Sequence, residues 1–520
     1  MSFVLSERPW IPCERLDGRV VELSTYDALV EAHQLRAIVD ESPLVVAALH
    51  RHLIAVLHRV VDGPAGFNAW AAVYRRGTFD PDAVARYLTR VRERLDLFHP
   101  THPFAQVRGL TEVFPESRDP IDQLGFERSS WGGARKLFQA REGDVVPRAT
   151  PGESVRLLLA HHAFATGGLV RKPGEPTSAT AAPLVRSAVV VLRGATLFET
   201  LTSNLLYYAP EDDEPIAGTS SDAPSWEREP LPQRLPAKEE PKRLPSGWLD
   251  LLTWLSRRIE LVREDDDVVS YVRAVGQGLD QQTPNDPMVT WRLDDKRGFV
   301  SIGIQPDRAF WRDSAALFEA GRDTGRKLFR PKAVDQAASL DVREVAGDRV
   351  FTLEVSGLSA EKSKVDCVRV DRVWSRARYF NDPDVREVVT RALGLAHAAA
   401  DTLRGALREF ARHALSEGDR YPDGKDIGGL VASMNAEPAL WTALGTEFDV
   451  LLRSIDQGLD VAAAEFAKSV DAHARRAFER ATSVADRSPR SLKARTKGES
   501  ALHRGLQALA PRQPQRESHA

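Results

Sequence analysis

The sequence predicts an α+β chain. A mixed α/β N-terminal domain over residues 1–382 is followed by an antiparallel four-helix bundle over 383–510 and a flexible basic tail at 511–520. Three observations carry this. Short apolar runs punctuated by turn residues fill the first part, with strand-like alternation in Arg349-Val350-Phe351-Thr352-Leu353-Glu354-Val355. A break at 210–247 holds Pro210, Pro215, Pro224, Pro230, Pro232, Pro236, Pro241 and Pro245, each lacking a donor and fixing φ, so it is expected to be a surface loop or linker. From Asp384 onward the apolar period becomes three and four residues.

The elements follow in order. Ser24-Thr25-Tyr26-Asp27 supplies a cap and an early acid, and Ala28, Leu29, Ala32, Leu35 and Ile38 predict the stripe of a first helix. Leu44, Ala48, Leu49, Leu53, Val56, Leu57 and Val60 predict a second. In the C-terminal part, one stripe runs from Val388 to Ala414, one from Trp441 to Ile455 and one from Leu459 to Ala481. Leu492–Leu509 is weaker, with Gly498 inside it at about 1 kcal/mol against Ala. None of these helices can bury its stripe alone, so four in sequence read as a bundle. Glu417–Ser433, rich in Gly and Asp, is expected to be a flexible crossover.

Composition narrows the class. At 520 residues, 42% hydrophobic and 28% charged, the chain resembles an ordinary globular protein of about three or four domains. Two cysteines, Cys13 and Cys367, exclude a disulfide scaffold and a zinc site with three or four thiolates. Leu44–Val61, the most apolar stretch, is interrupted by His50, Arg51, His52, His58 and Arg59, so no membrane span is expected. With no basic-then-apolar start, a cytoplasmic location is expected. The net charge of −3 argues at first sight against nucleic acid, but it averages an uneven chain. Residues 472–520 hold eleven Lys and Arg against four acids, a net +7.

Enzyme motifs are missing. There is no phosphate-binding loop and no nucleophile elbow, and Gly276-Gln277-Gly278 lacks the third glycine of a dinucleotide fingerprint. His50, His52 and His58 lie on an apolar helix with no acid among them, and read as core histidines. Adjacent helical residues point about 100° apart, so His161 and His162 cannot easily share a metal. No catalytic residue, metal or cofactor is therefore expected. The alternative is a metal-dependent nuclease or hydrolase using N-terminal His and Asp residues, with Asp265-Asp266-Asp267 as one acidic cluster.

Three segments combine glycine with basic residues. Ala165-Thr166-Gly167-Gly168-Leu169-Val170-Arg171-Lys172 suits close main-chain approach to phosphate, and equally a helix C-cap with an exposed loop. Gly357–Lys364 follows a strand and reads as a hairpin turn. Arg128–Lys136 interleaves Trp131 with glycines, Arg135 and Lys136, a mix that suits stacking or a surface loop.

A set of ordered markers carries a family resemblance. They are Pro9-Trp10-Ile11-Pro12, His102-Pro103-Phe104-Ala105-Gln106, Ala163-Phe164-Ala165-Thr166-Gly167-Gly168 and Gly194–Leu201 leading to Asn204-Leu205. Pro224-Ser225-Trp226-Glu227, Leu251–Ile259, Asp286-Pro287-Met288 and Trp291-Arg292 follow. Together they resemble the large subunit of the type I-E CRISPR surveillance complex Cascade, the CasA family.

The resemblance implies a non-catalytic subunit that recognises the protospacer-adjacent motif in double-stranded DNA and aids duplex opening and R-loop formation. Guide pairing reads the remaining sequence. The implied partners are the other Cascade subunits, the CRISPR guide RNA, double-stranded target DNA and a docked helicase–nuclease. Residue by residue, the family's glycine loop resembles Thr166, Gly167 and Gly168. Its duplex-splitting wedge aligns with Gly357–Lys364, where Glu361, Lys362 and Ser363 stand instead of a glutamine beside a small residue. Its N-terminal contact loop resembles 129–137, with Trp131, Arg135 and Lys136. Its lysine finger falls near Arg273–Met288, where no lysine occurs and Gln277 or Arg273 is the candidate replacement.

Overall fold

The chain begins with a hairpin of β1 (Ile11–Arg15) and β2 (Val20–Leu23), and β3 (Leu35–Ile38) pairs antiparallel on the other edge of β1. The computed structural model describes residues 2–126, 146–170, 172–207, 222–235, 240–280, 286–318, 328–361, 363–416, 422–483 and 488–509. Ser24 caps α1 (Thr25–Val30), accepting the Asp27 N–H at 3.1 Å. The stripe expected to run to Ile38 does not stay helical. Residues 32–34 make a 3-10 turn and Leu35–Ile38 becomes β3, because pairing with Cys13–Arg15 satisfies its backbone while Leu35, Ala37 and Ile38 are buried.

Helix α2 (Pro43–Val60) is the central core helix, with Leu44, Leu49, Leu53 and Leu57 fully buried. Its length and composition would suffice to cross a membrane, contrary to the expectation from its His and Arg residues. It is instead mostly buried in protein. Arg51 is neutralised there by Asp286 at 2.8 Å and donates to the Leu251 carbonyl at 2.9 Å.

Helix α3 (Pro151–Phe164) packs against α2 and runs to β4 (Gly168–Leu169), which pairs with β5 (Ser178–Ala179). Strand β6 (Val189–Arg193) joins the sheet completed later by two long strands. Strands β7 (Arg257–Glu264) and β8 (Asp267–Val275) form a hairpin, with Arg118–Pro120 on the free edge of β8. Asp265 turns that hairpin with φ 58°, so Asp265 and Asp266 of the acidic triplet form its turn and Asp267 opens β8. The last hairpin, β9 (Val350–Glu361) and β10 (Lys364–Arg376), places β9 between β10 and β6.

The proline-rich stretch is exposed over 229–230 and 232–234 as a surface loop would be, but its neighbouring described residues are anchored in the core. Trp226 is buried, and its indole donates to the Tyr87 hydroxyl at 2.8 Å. Glu227 accepts Arg59 at 2.6 Å and Tyr87 at 2.7 Å, and Asp222 accepts the Leu249 and Asp250 amides at 3.0 Å. Lys242–Arg243 even pairs as a short parallel strand with Gly278–Leu279 beside Pro241, and side chains fasten the segment to the core.

The contacts divide the chain into two units, Met1–Phe310 with Glu319–Asn381, and Trp311–Phe318 with Asp382–Ala520. The second unit is helical: α4 (Pro383–Leu415), α5 (Gly424–Ser433), α6 (Ala436–Ser454), α7 (Leu459–Thr482) and α8 (Pro489–Leu509). Trp311–Phe318 belongs to it because the Trp311 ring packs 5.1 Å from Phe448 and Arg312 lies 3.6 Å over Trp441. The expected crossover contains α5, capped by Asp423, which forms despite Gly428 and Gly429. Gly498 has a packing reason. A Cβ there would meet the Ala406 carbonyl and Phe410 Cβ at 3.0 Å, so glycine lets α8 approach α4. The expected tail at 511–520 lies outside the described residues.

Candidate nucleic-acid interface

The glycine segment is built from α3 outward. Thr150 and Glu153 close a capping box on its first turn, and Pro151 occupies the first helical position. Burial holds both late histidines neutral. His161 is pushed well below the usual imidazole value, and His162 falls to about 4. His161 Nδ1 meets the Leu124 carbonyl at 3.0 Å, and His162 Nε2 meets the Ala105 carbonyl at 2.9 Å. These are core contacts anchoring the end of the helix. Among the described residues, no group of three or more His, Cys, Asp or Glu could hold a metal ion.

After Phe164 the chain doubles back through β4 and β5. The Ala182 amide donates to the Ala165 carbonyl at 2.8 Å, and the Leu184 amide to the Ala163 carbonyl at 3.1 Å. Gly167 is required by this reversal: a Cβ would lie 2.9 Å from the Ala181 nitrogen and 3.3 Å from the Ala179 oxygen. Gly168 has φ +151°, a conformation that side chains rarely adopt. It and Leu169 are exposed.

The turn of the β9–β10 hairpin comes to this loop. The Thr166 hydroxyl donates to the Ser363 carbonyl at 3.4 Å, and a Cβ on Gly168 would stand 3.4 Å from the Ser363 Cβ. Glu361, Ser363 and Lys364 are all exposed. Gly168, Glu361 and Ser363 thus share one exposed surface, with Gly167 half-buried and Thr166 buried behind it. The hairpin turn is shorter than the expected 357–364 loop, since Gly357–Glu361 is strand, paired with Lys364–Arg369 across a bulge between Ser359 and Ala360. Gly357 is glycine because a Cβ would lie 2.6 Å from the Ser187 oxygen.

The other candidates separate. Lys362, Trp131, Arg135 and Lys136 lie outside the described residues. Gln277 is half-buried and its amide donates to the Pro241 carbonyl at 2.8 Å, so a finger role would first have to break that bond. Lys172 reaches the Ser117 carbonyl at 3.4 Å and lies 5.9 Å from the Phe114 ring centre.

One residue missed by the sequence reasoning lies directly beneath the loop. Arg257, at the start of β7, donates through Nη2 to the Thr180, Thr166 and Ala165 carbonyls at 2.8, 3.0 and 3.4 Å. Burial pushes its pKa down to about 10, with Arg273 adding to the depression, so it remains charged at neutral pH. Burial also lowers the Lys172 pKa, again with help from Arg273. Glu240 opposes the depression at Arg257 and Asp119 at Lys172, so the cations behind the loop are partly balanced by carboxylates. The available signal was an arginine pair, Arg257-Arg258, inside a run that is otherwise buried β-strand.

A family model for "CRISPR-associated protein Cse1" matches residues 5–483. The chain belongs to the CRISPR-associated Cse1 (CasA) family. A CasA/Cse1 protein from Thermus thermophilus is 34% identical over 466 residues, covering 88% of each chain. A crystal structure of CasA from Thermus thermophilus superposes with a TM-score of 0.82 at 30% identity, over 98% of this chain and 100% of that one. A chain of a CRISPR RNA-guided surveillance complex shares the fold at a TM-score of 0.72 and 21% identity, over 96% and 99% of the two chains. The Cse1 resemblance carried by the sequence markers is thereby established for nearly the whole chain.

Proposed function

We propose that this Cse1 chain is the non-catalytic large subunit of a type I-E CRISPR RNA-guided surveillance complex, acting in the cytoplasm. In this reading it recognises the protospacer-adjacent motif in double-stranded DNA, aids duplex opening and R-loop formation, and provides the docking site for the helicase–nuclease. The observation that carries the reading is the juxtaposition of Thr166–Gly168 with Ser363 at the tip of a long hairpin. A main chain without Cβ atoms can approach a groove closely, and a projecting tip beside it can intrude between strands.

The charged Arg257 behind the loop favours phosphate, and guide pairing would supply the rest of the specificity. The helical unit, read as an antiparallel four-helix bundle with an added short helix, offers exposed Arg476 and Arg480 along α7 as a second basic face. The other complex subunits and the guide RNA are its proposed partners, as the name of the related surveillance-complex structure suggests.

The test is duplex binding by the reconstituted complex across a library of flanking motifs. A sharp motif preference that disappears in Gly168 and Lys362 variants supports the reading. Motif-independent binding overturns it. Metal-dependent DNA cleavage by the purified subunit would overturn the non-catalytic assignment.

A further inference from the structure

The adjacent arginines at the start of β7 have opposite environments. Arg258 is neutralised: it ion-pairs with Glu175 in the interior and donates to the Val275 and Gln233 carbonyls at 2.6 and 2.7 Å. Arg257 is equally buried, but no carboxylate forms an ion pair with it among the described residues. Its Nη1 donates to the Ser256 carbonyl at 2.7 Å and its Nη2 to Thr180, Thr166 and Ala165. A buried guanidinium is tolerable when its planar fork of donors is met, and here main-chain oxygens meet it.

Those oxygens are informative. Ala165 and Thr166 lead from the end of α3 into β4, and Thr180 directly follows β5. One guanidinium therefore ties both stems of the loop to β7. The anchor is itself fixed, since a Cβ on Gly276 would lie 2.5 Å from the Arg257 nitrogen and Cα, so the two backbones touch. Glu240 supports the same stem by accepting the Thr180 amide at 2.8 Å. Through the Thr166 hydroxyl the tie continues to Ser363 at the hairpin tip.

We infer that Arg257 is a positioning residue for DNA recognition: it locks the glycine loop against the hairpin tip and holds a cation, only partly offset by the nearby Glu240, behind the main chain that faces the duplex. The inference rests on the reading of Thr166–Gly168 as a DNA-facing loop. Carbonyl ligation gives Arg257 a second property besides rigidity. A carboxylate partner would have cancelled the charge, whereas the carbonyls hold the cation in place without adding a negative charge of their own.

The test uses Arg257→Met and Arg257→Lys in the full-length chain and in the reconstituted complex. Amide hydrogen exchange at Gly167, Gly168 and Leu169 in the free chain reads the clamp. Affinity for motif-bearing duplex at two salt concentrations reads the charge. Arg257→Met is expected to speed exchange at those amides at least about tenfold while α2 stays protected, and to weaken duplex binding about tenfold with a shallower salt dependence. Arg257→Lys keeps the charge but loses the fork. It should speed exchange while retaining the wild-type salt slope.

Wild-type exchange and affinity in Arg257→Met overturn the inference. Should Arg257→Met fail to assemble, Arg257→Lys decides, and unchanged exchange there overturns the clamp. If the wild-type complex shows no motif preference, the DNA reading of the loop fails. The exchange measurement still passes or fails the clamp by itself.

Discussion

The Thr166 hydroxyl donates to the Ser363 carbonyl across 197 residues of chain, at 3.4 Å. This contact makes a glycine loop following a helix and the turn of a β-hairpin into one surface. A substitution on either side therefore acts on both.

Gly168→Val combines a forbidden φ with a branched side chain aimed at Ser363. Strain of about 1–3 kcal/mol is expected to move the loop and weaken motif-duplex binding by about tenfold or more. Complex assembly should be unchanged. Lys362→Ala should act in the same direction. Mobility shift with the reconstituted complex measures both, and wild-type affinity in both variants removes these residues from the interface.

Trp226 lies in the proline-rich stretch yet is buried and hydrogen-bonded to Tyr87. Trp226→Ala should destabilise the first unit by about 3–5 kcal/mol. A shift in the urea midpoint measures this. A linker residue would give almost none.

Glu175 pairs with Arg258 and accepts the Leu235 amide at 3.2 Å, both within the interior. Glu175→Ala strands a buried guanidinium, at a cost of about 3–5 kcal/mol. Denaturant titration tests the loss, and a change below about 1 kcal/mol would show that water reaches Arg258.

Burial lowers the pKa of His50, His58 and His162 from 6.5 to about 4. The unfolded chain takes up protons near pH 6.5, while the folded chain resists until about 4. The stabilisation is therefore complete above pH 6.5 and is lost as the pH falls through that window. Each histidine contributes a slope of up to about 1.4 kcal/mol per pH unit. Denaturant midpoints measured between about pH 7 and 5 should fall accordingly, and His162→Gln should flatten the decline. Equal midpoints across that range would show that the histidines are already solvated.

Much of the local structure was legible from the chain. Ser24 marks a helix start, because a short side-chain oxygen meets free amides there. The stripes of α4, α6 and α7 could be read because one apolar face must be buried. Leu35–Ile38 was misread, since its residues fit a helix stripe as well as a strand and only pairing with β1 chose between them. Gly498 read as a weakness until α4 was placed against it. The Gly357–Glu361 segment looked like a loop because its small residues hide its pairing with β10.

The sequence by itself determined the helical C-terminal unit, the buried histidines of α2 and the glycine pair at 167–168. It also carried the Cse1 resemblance. Periodicity and the absence of a Cβ are properties of the residues themselves. The tertiary structure alone decided that Ser363 meets Thr166, that Gln277 is committed to Pro241, and that Arg257 lies beneath the loop. Those facts depend on which strands pair, and pairing is settled by the burial of side chains distant in sequence. A guanidinium finds three carbonyls only after the helix end, the returning strand and β7 have been packed together.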